Sequence, residues 1–186
     1  MEIQIRVITS LAEFYAIKPQ WKQLCHRAVD AVFYQQHEWC LAAWKHLFYA
    51  MRNRRLHIVT AHLGDNLVAV LPLVRRHRWL RPAKFAWLTF ADHPVDVLLD
   101  SELAQSAELG TLLWRMLGTC DGILAISPVR ETAHLSILSE RQEAASRPAL
   151  VAFLCELKSG ASVEDVVSEL SKSALTNERR DWRRLI

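Results

Sequence analysis

The stretch Leu56-His-Ile-Val-Thr-Ala-His-Leu-Gly-Asp-Asn-Leu-Val-Ala-Val-Leu-Pro-Leu-Val74 decides the fold. Two apolar runs, LHIVTAHL and LVAVLPLV, flank Gly64-Asp65-Asn66, the chemistry of a hairpin with a Gly-containing loop. The second run is apolar without alternation, so both of its faces are expected to be covered. Pro72 has no N–H to give to a neighbouring strand, which predicts a bulge or an unpaired edge near that point.

Working outward, Ile3, Ile5 and Val7 alternate as in a strand, and Ser10-Leu-Ala-Glu13 has the spacing of a capping box. A helix follows to about Arg27, disturbed at Pro19. Cys40, Ala43, Trp44, Leu47, Phe48 and Met51 recur at i, i+3 and i+4, so a second amphipathic helix is expected over 36–51, with Trp44, Leu47 and Phe48 in the core. Beyond the hairpin, residues 84–90 and 95–99 read as a further strand, broken at Asp92-His93-Pro94. Asp100 or Ser101 can cap a helix whose inner face is Leu109, Leu112, Leu113, Met116 and Leu117 and which ends at Gly118. GILAIS (122–127) then reads as a short buried strand, 131–144 as a helix, 150–157 as a strand, and Ser162 as the cap of another helix. The expected order is β-α-α-β-β-β-α-β-α-β-α-α.

Composition excludes several classes. With 186 residues, 51% hydrophobic and 23% charged, the chain is long and apolar enough to bury a core. No run approaches the roughly 20 apolar residues of a membrane span, and the N-terminus lacks the layout of a signal peptide, so a cytoplasmic protein is expected. Cys25, Cys40, Cys120 and Cys155 are far apart and lie among apolar neighbours, the usage of reduced buried thiols rather than of a zinc site. His57 and His62, five apart on a strand, face opposite sides and make a poor metal pair.

The strand and helix order, together with FYQQHEWCLAAWKHLF, the hairpin ending LVAVLPLV, the segment DHPVDVLLD and LSKSALTNERRDWRRL, resembles the N-terminal part of the CelD-like (cellulose-biosynthesis type) acetyltransferases. These are relatives of the FemAB-like proteins, in which two GNAT-like halves lie in one chain. The resemblance implies an α/β GNAT-like fold, a mostly antiparallel sheet flanked by helices. It implies a first domain over 1–170 and a helix, 171–186, leading into a second GNAT half. Leu175, Trp182, Leu185 and Ile186 fall on one side of that helix as an apolar seam, for a second half or for a copy of the chain. A helix folded back on its own domain is the alternative.

The resemblance also implies acyl-CoA, normally acetyl-CoA, as the family's cofactor, held through its pyrophosphate by backbone N–H groups where a Gly-rich loop opens a helix. The corresponding loop here contains no Gly between Gly64 and Gly110 and carries Asp96, Asp100 and Glu102. This chain is therefore expected to bind no acyl-CoA itself and to be the non-catalytic half of a tandem acyltransferase of polysaccharide or envelope biosynthesis. A stand-alone scaffolding module with the same fold is the other class. Asp92, His93 and Asp96 could grip a hydroxylated substrate or serve as a base, and equally read as a polar turn closed by Pro94. Arg75-Arg76-His77-Arg78-Trp79-Leu80-Arg81 could track a nucleic acid. Net charge is only +3 and no nucleic-acid motif accompanies the cluster, so a solvated connection is expected and nucleic acid is not.

Overall fold

A computed structural model describes residues 3–28, 30–77, 81–89, 95–124 and 133–135. The elements are β1 (Ile3–Ile8), α1 (Leu11–Ala16), α2 (Lys18–Arg27), a 3-10 turn (Phe33–Gln35), α3 (His37–Ala43) continuing as a π turn (Trp44–Phe48), β2 (Arg54–Leu63), β3 (Asn66–Arg76), β4 (Ala83–Trp87), β5 (Leu98–Leu99), α4 (Ser101–Ala104), α5 (Leu109–Leu117) and β6 (Gly122–Leu124). The architecture is mixed α/β. The sheet runs β1-β2-β3-β4-β6 with β5 also on β3, and every pairing is antiparallel except β4 with β6.

The hairpin forms where the apolar runs place it. Leu63 pairs with Asn66, leaving Gly64 and Asp65 as the loop, and Gly64 takes φ 61, a left-handed conformation that glycine adopts without a Cβ penalty. Leu67 to Val74 are all buried. The two faces of the sheet carry separate cores. Val59, Ala61, Leu71, Leu73 and Phe85 pack with Leu109, Leu112, Leu113 and Met116 of α5 on one face. Ile58, Val70, Val74 and Leu98 pack with Phe14, Trp21, Leu24 and Trp44 of the N-terminal helices on the other. Phe14 and Trp21 are wholly buried, each contributing about 2–3 kcal/mol of transfer free energy.

Pro72 sets the shape of the far edge of β3. Leu88 N–H donates to the Pro72 carbonyl at 2.9 Å, so the backbone polar groups of residue 72 face β4. The return bond of that antiparallel pair needs an N–H that proline lacks. The β4 ladder covers Leu73 to Arg76 and stops, and β5 resumes pairing at Ala69 and Val70. Two β3 residues, Leu71 and Pro72, therefore lie between the two ladders, while ten residues of sequence, 88–97, separate Trp87 from Leu98. Asp96 lies two residues before the point where pairing resumes at Leu98.

Several expectations need correction. The first helix is two, α1 and α2, because Pro19 sits in the first turn of α2 and cannot continue α1. The second ends in a π turn at Phe48 rather than running to 51: Trp44 is buried, Leu47 and Phe48 are half-buried, and Met51, past the helix end, is exposed. The helix expected from Asp100 to Gly118 is α4 and α5, separated by a turn, with Asp100 capping only the first. Gly122 and Ile123 are exposed, not buried, and Ala133–Leu135 is a turn rather than helix. The remainder of 131–144, the strand at 150–157 and everything to Ile186 lie outside the described residues, as do Cys155 and the seam residues Leu175, Trp182, Leu185 and Ile186.

Candidate functional site

Asp96 gathers more polar contacts than any neighbour in its cleft. Its Oδ1 accepts the N–H of Val97 at 2.7 Å and of Leu135 at 3.3 Å. Its Oδ2 accepts the His134 N–H at 2.5 Å and the His134 ring Nδ1–H at 2.9 Å. The same residue is held through its backbone, because Gln35 Nε2 donates to the Asp96 carbonyl at 3.0 Å. Gln35 is itself fixed on three sides: its carbonyl accepts Trp21 Nε1–H at 2.9 Å and its Oε1 accepts the Val32 N–H at 2.8 Å. A buried tryptophan thus positions the glutamine, the glutamine positions the aspartate, and the aspartate positions the histidine.

Ala28, Asp30, Gln35, Asp96, Val97 and His134 line a narrow cleft with room for about one water or one small polar group. The Asp96 hydrogen bond first, then the negative charges of Asp96 and Asp30, hold the His134 pKa above its ordinary 6.5 against the opposing effect of burial. A carboxylate on Nδ1–H fixes the tautomer and leaves Nε2 as the proton-accepting atom. The pair can hold a proton or take one from a hydroxyl or ammonium group that reaches the cleft.

Beside it, the start of α4 is closed. Asp100 Oδ1 accepts the Glu102 N–H at 3.2 Å, while Oδ2 pairs with Arg27 Nε at 2.8 Å. Arg27 also donates to the Leu67 carbonyl at 2.9 Å, so the ion pair is braced against β3.

A second histidine constellation lies over the start of β2. His57 Nε2 is 3.2 Å from Thr119 Oγ1 and 3.8 Å from Cys120 Sγ, and its ring meets Phe85 edge-on at 4.7 Å between centroids. Burial first and then the Arg75 charge lower its pKa, with Asp121 opposing. Burial pushes the Cys120 thiol up to about 11, so the sulfur stays protonated and is a poor nucleophile. His62 turns to Thr60 at 3.2 Å instead. Among the described residues no three His, Cys, Asp or Glu side chains converge as metal ligands, and no helix is long and apolar enough to cross a membrane.

Of the substrate-gripping residues expected from the sequence, Asp96 lies in the cleft, while Asp92 and His93 fall outside the described residues. Gln35 and His134 were not among them. Gln35 carries a weak signal, a polar residue between aromatics just before a helix; His134 carries none, standing 38 residues from its partner.

No family model and no curated protein matches the chain. It is similar to solved structures at low identity. A possible acetyltransferase from Clostridium difficile 630 aligns at 12% identity over 85% of this chain and 100% of that one, with a TM-score of 0.44. A ribosomal-protein-alanine N-acetyltransferase from Brucella melitensis biovar Abortus 2308 aligns at 14% over 83% and 100%, TM-score 0.41. An integron cassette protein from the mobile metagenome of V. cholerae aligns at 11% over 91% and 99%, TM-score 0.45. Similarities of this size assign neither family nor activity.

Proposed function

We propose that the chain is the N-terminal, non-catalytic half of a tandem GNAT-type N-acyltransferase of polysaccharide or cell-envelope biosynthesis. The order of strand, helices, three antiparallel strands, helices and a parallel strand supports the GNAT reading, and the segments that resemble CelD-like proteins support the pathway. The observation that carries the non-catalytic assignment is Asp100. A half that held acyl-CoA would offer the N–H groups opening the helix after β5 to a pyrophosphate. Here a carboxylate already accepts the Glu102 N–H and is anchored by Arg27, on a helix of only four residues. A second anion at that place would meet the first, so these residues do not fit the cofactor. In this reading 171–186 leads to the partner half, with Leu175, Trp182, Leu185 and Ile186 as the seam, and acyl-CoA is bound there.

Calorimetric titration of the chain with acetyl-CoA tests the assignment. The expected result is no heat of binding. Binding in the micromolar range, abolished by free CoA, would overturn it.

A further inference from the structure

At the end of the sheet away from Asp100, three cations stand side by side. Arg54 of β2 lies directly opposite Arg76 of β3, and Arg76 directly opposite Lys84 of β4. Opposite residues in antiparallel strands share a face, so the three side chains form one row, roughly 5 Å apart from strand to strand and roughly 10 Å long. Like charges in directly opposed positions destabilise a sheet.

The reverse face of the same strands provides the comparison. There Arg75 lies opposite Arg55, and Arg75 is neutralised by Asp121 at 2.8 Å. Across the row, no carboxylate reaches Arg54, Arg76 or Lys84 among the described residues. Arg54 is the most constrained member. Its guanidinium lies over the Phe48 ring at 5.9 Å, and its buried Nε has no hydrogen-bond partner among the described residues. Burial first, and then the Arg76 charge, oppose the protonated form of Arg54. A fixed guanidinium with an unused donor, next to two uncompensated cations, lacks an anion.

We infer that the Arg54–Arg76–Lys84 row is a binding site for a diphosphate group. Guanidinium forks match phosphate oxygens in pairs. A row of three cations is longer than one carboxylate or phosphate can bridge, whereas two linked or adjacent phosphates span it. The group can belong to a free diphosphate ester or to neighbouring anionic lipid headgroups. Exposed Ile123, directly opposite Lys84 on β6, would border either. The row lies about 27 Å along β3 from Val68, the residue that receives Asp100, so this site is separate from the proposed function and can stand without it.

The experiment titrates the full chain with inorganic pyrophosphate by calorimetry, and measures co-sedimentation with phosphatidylglycerol/phosphatidylcholine vesicles, at low ionic strength. The variants are Arg76→Gln and Lys84→Gln, with folding checked by circular dichroism. Pyrophosphate binding that weakens tenfold or more in Arg76→Gln, while the melting temperature rises from relief of repulsion, supports the site with a soluble ligand. Vesicle binding alone, lost in the same variants, supports it with headgroups as the source. Absence of both, or binding unchanged in Arg76→Gln and Lys84→Gln, overturns it. Acetyl-CoA heat that survives Arg76→Gln would instead count only against the non-catalytic assignment.

Discussion

His57 is buried and His134 is only slightly exposed, yet they are pushed in opposite directions. The Asp96 carboxylate favours protonated His134, whereas burial and Arg75 favour neutral His57. Burial alone lowers an imidazole pKa; a directly bonded anion outweighs it. The same difference separates the two nearby groups with chemical potential. Asp96 gives His134 a fixed tautomer, while Cys120 gives His57 a protonated thiol and no charge to work with. Proximity of reactive residue types is thus a weaker guide to a site than the sign of the charge that accompanies them.

The largest test of that contrast is Asp96→Ala. The substitution leaves the N–H groups of Val97, His134 and Leu135 without their acceptor, and we expect a loss of about 3 kcal/mol in urea-monitored stability. A loss within about 0.5 kcal/mol would mean that the turn at 133–135 does not depend on the carboxylate. Next in size is Cys120. With its thiol held near 11, alkylation by iodoacetamide at neutral pH should run about a hundredfold slower than for an unperturbed thiol. Alkylation at the rate of the urea-unfolded chain would put a thiolate beside His57 and erase the distinction.

The smallest effect is the pH dependence, and its sign differs between the two histidines. His134 binds its proton more tightly when folded, so its contribution is fully present below 6.5 and is lost as pH rises through its folded value. His57 binds its proton less tightly when folded, so stability falls as pH drops below 6.5 and the unfolded chain takes up the proton. NMR titration should place the His134 midpoint above 6.5 and the His57 midpoint below it. The reverse order would break the comparison.

The parts of the fold that were legible in the sequence are those set by neighbours along the chain. The hairpin followed from its Gly-containing loop, and the interruption of the sheet edge followed from Pro72, because a missing N–H is a property of one residue wherever the strand goes. The buried face of α5 followed from its i, i+3, i+4 spacing. What failed depended on tertiary context: the second helix stops at Phe48, so Met51 lies beyond it and is exposed, and β6, paired with β4 along all three of its residues, still leaves Gly122 and Ile123 exposed. The site was half legible. Asp96 stands in a conspicuous acidic segment, but its significance comes from His134 and Gln35, which reach it only through the tertiary fold. Likewise the basic segment after Arg75 was visible as a run along the chain. The row across it, made with Arg54 and Lys84, exists only in the register.

The shared edge of β3 has a consequence for how the protein can change. Sheet pairing fixes Trp87 and Leu98 in place, and the Leu88 bond to Pro72 extends it by one residue, but the pairing does not itself set how many residues follow before Leu98. Lengthening such a loop costs little entropy, about 0.6 kcal/mol for each doubling. At the β2–β3 loop one added residue would instead turn every following side chain to the opposite face. The molecule therefore has one rigid joint and one elastic joint on adjacent edges of the same strand, and the cleft with Asp96 is built on the elastic one. Leu88 belongs to one core and Val95 and Val97 to the other, so only insertions and deletions that keep these three side chains in place can remodel that cleft and let descendants of this sequence diverge in what they recognise without relearning how to fold.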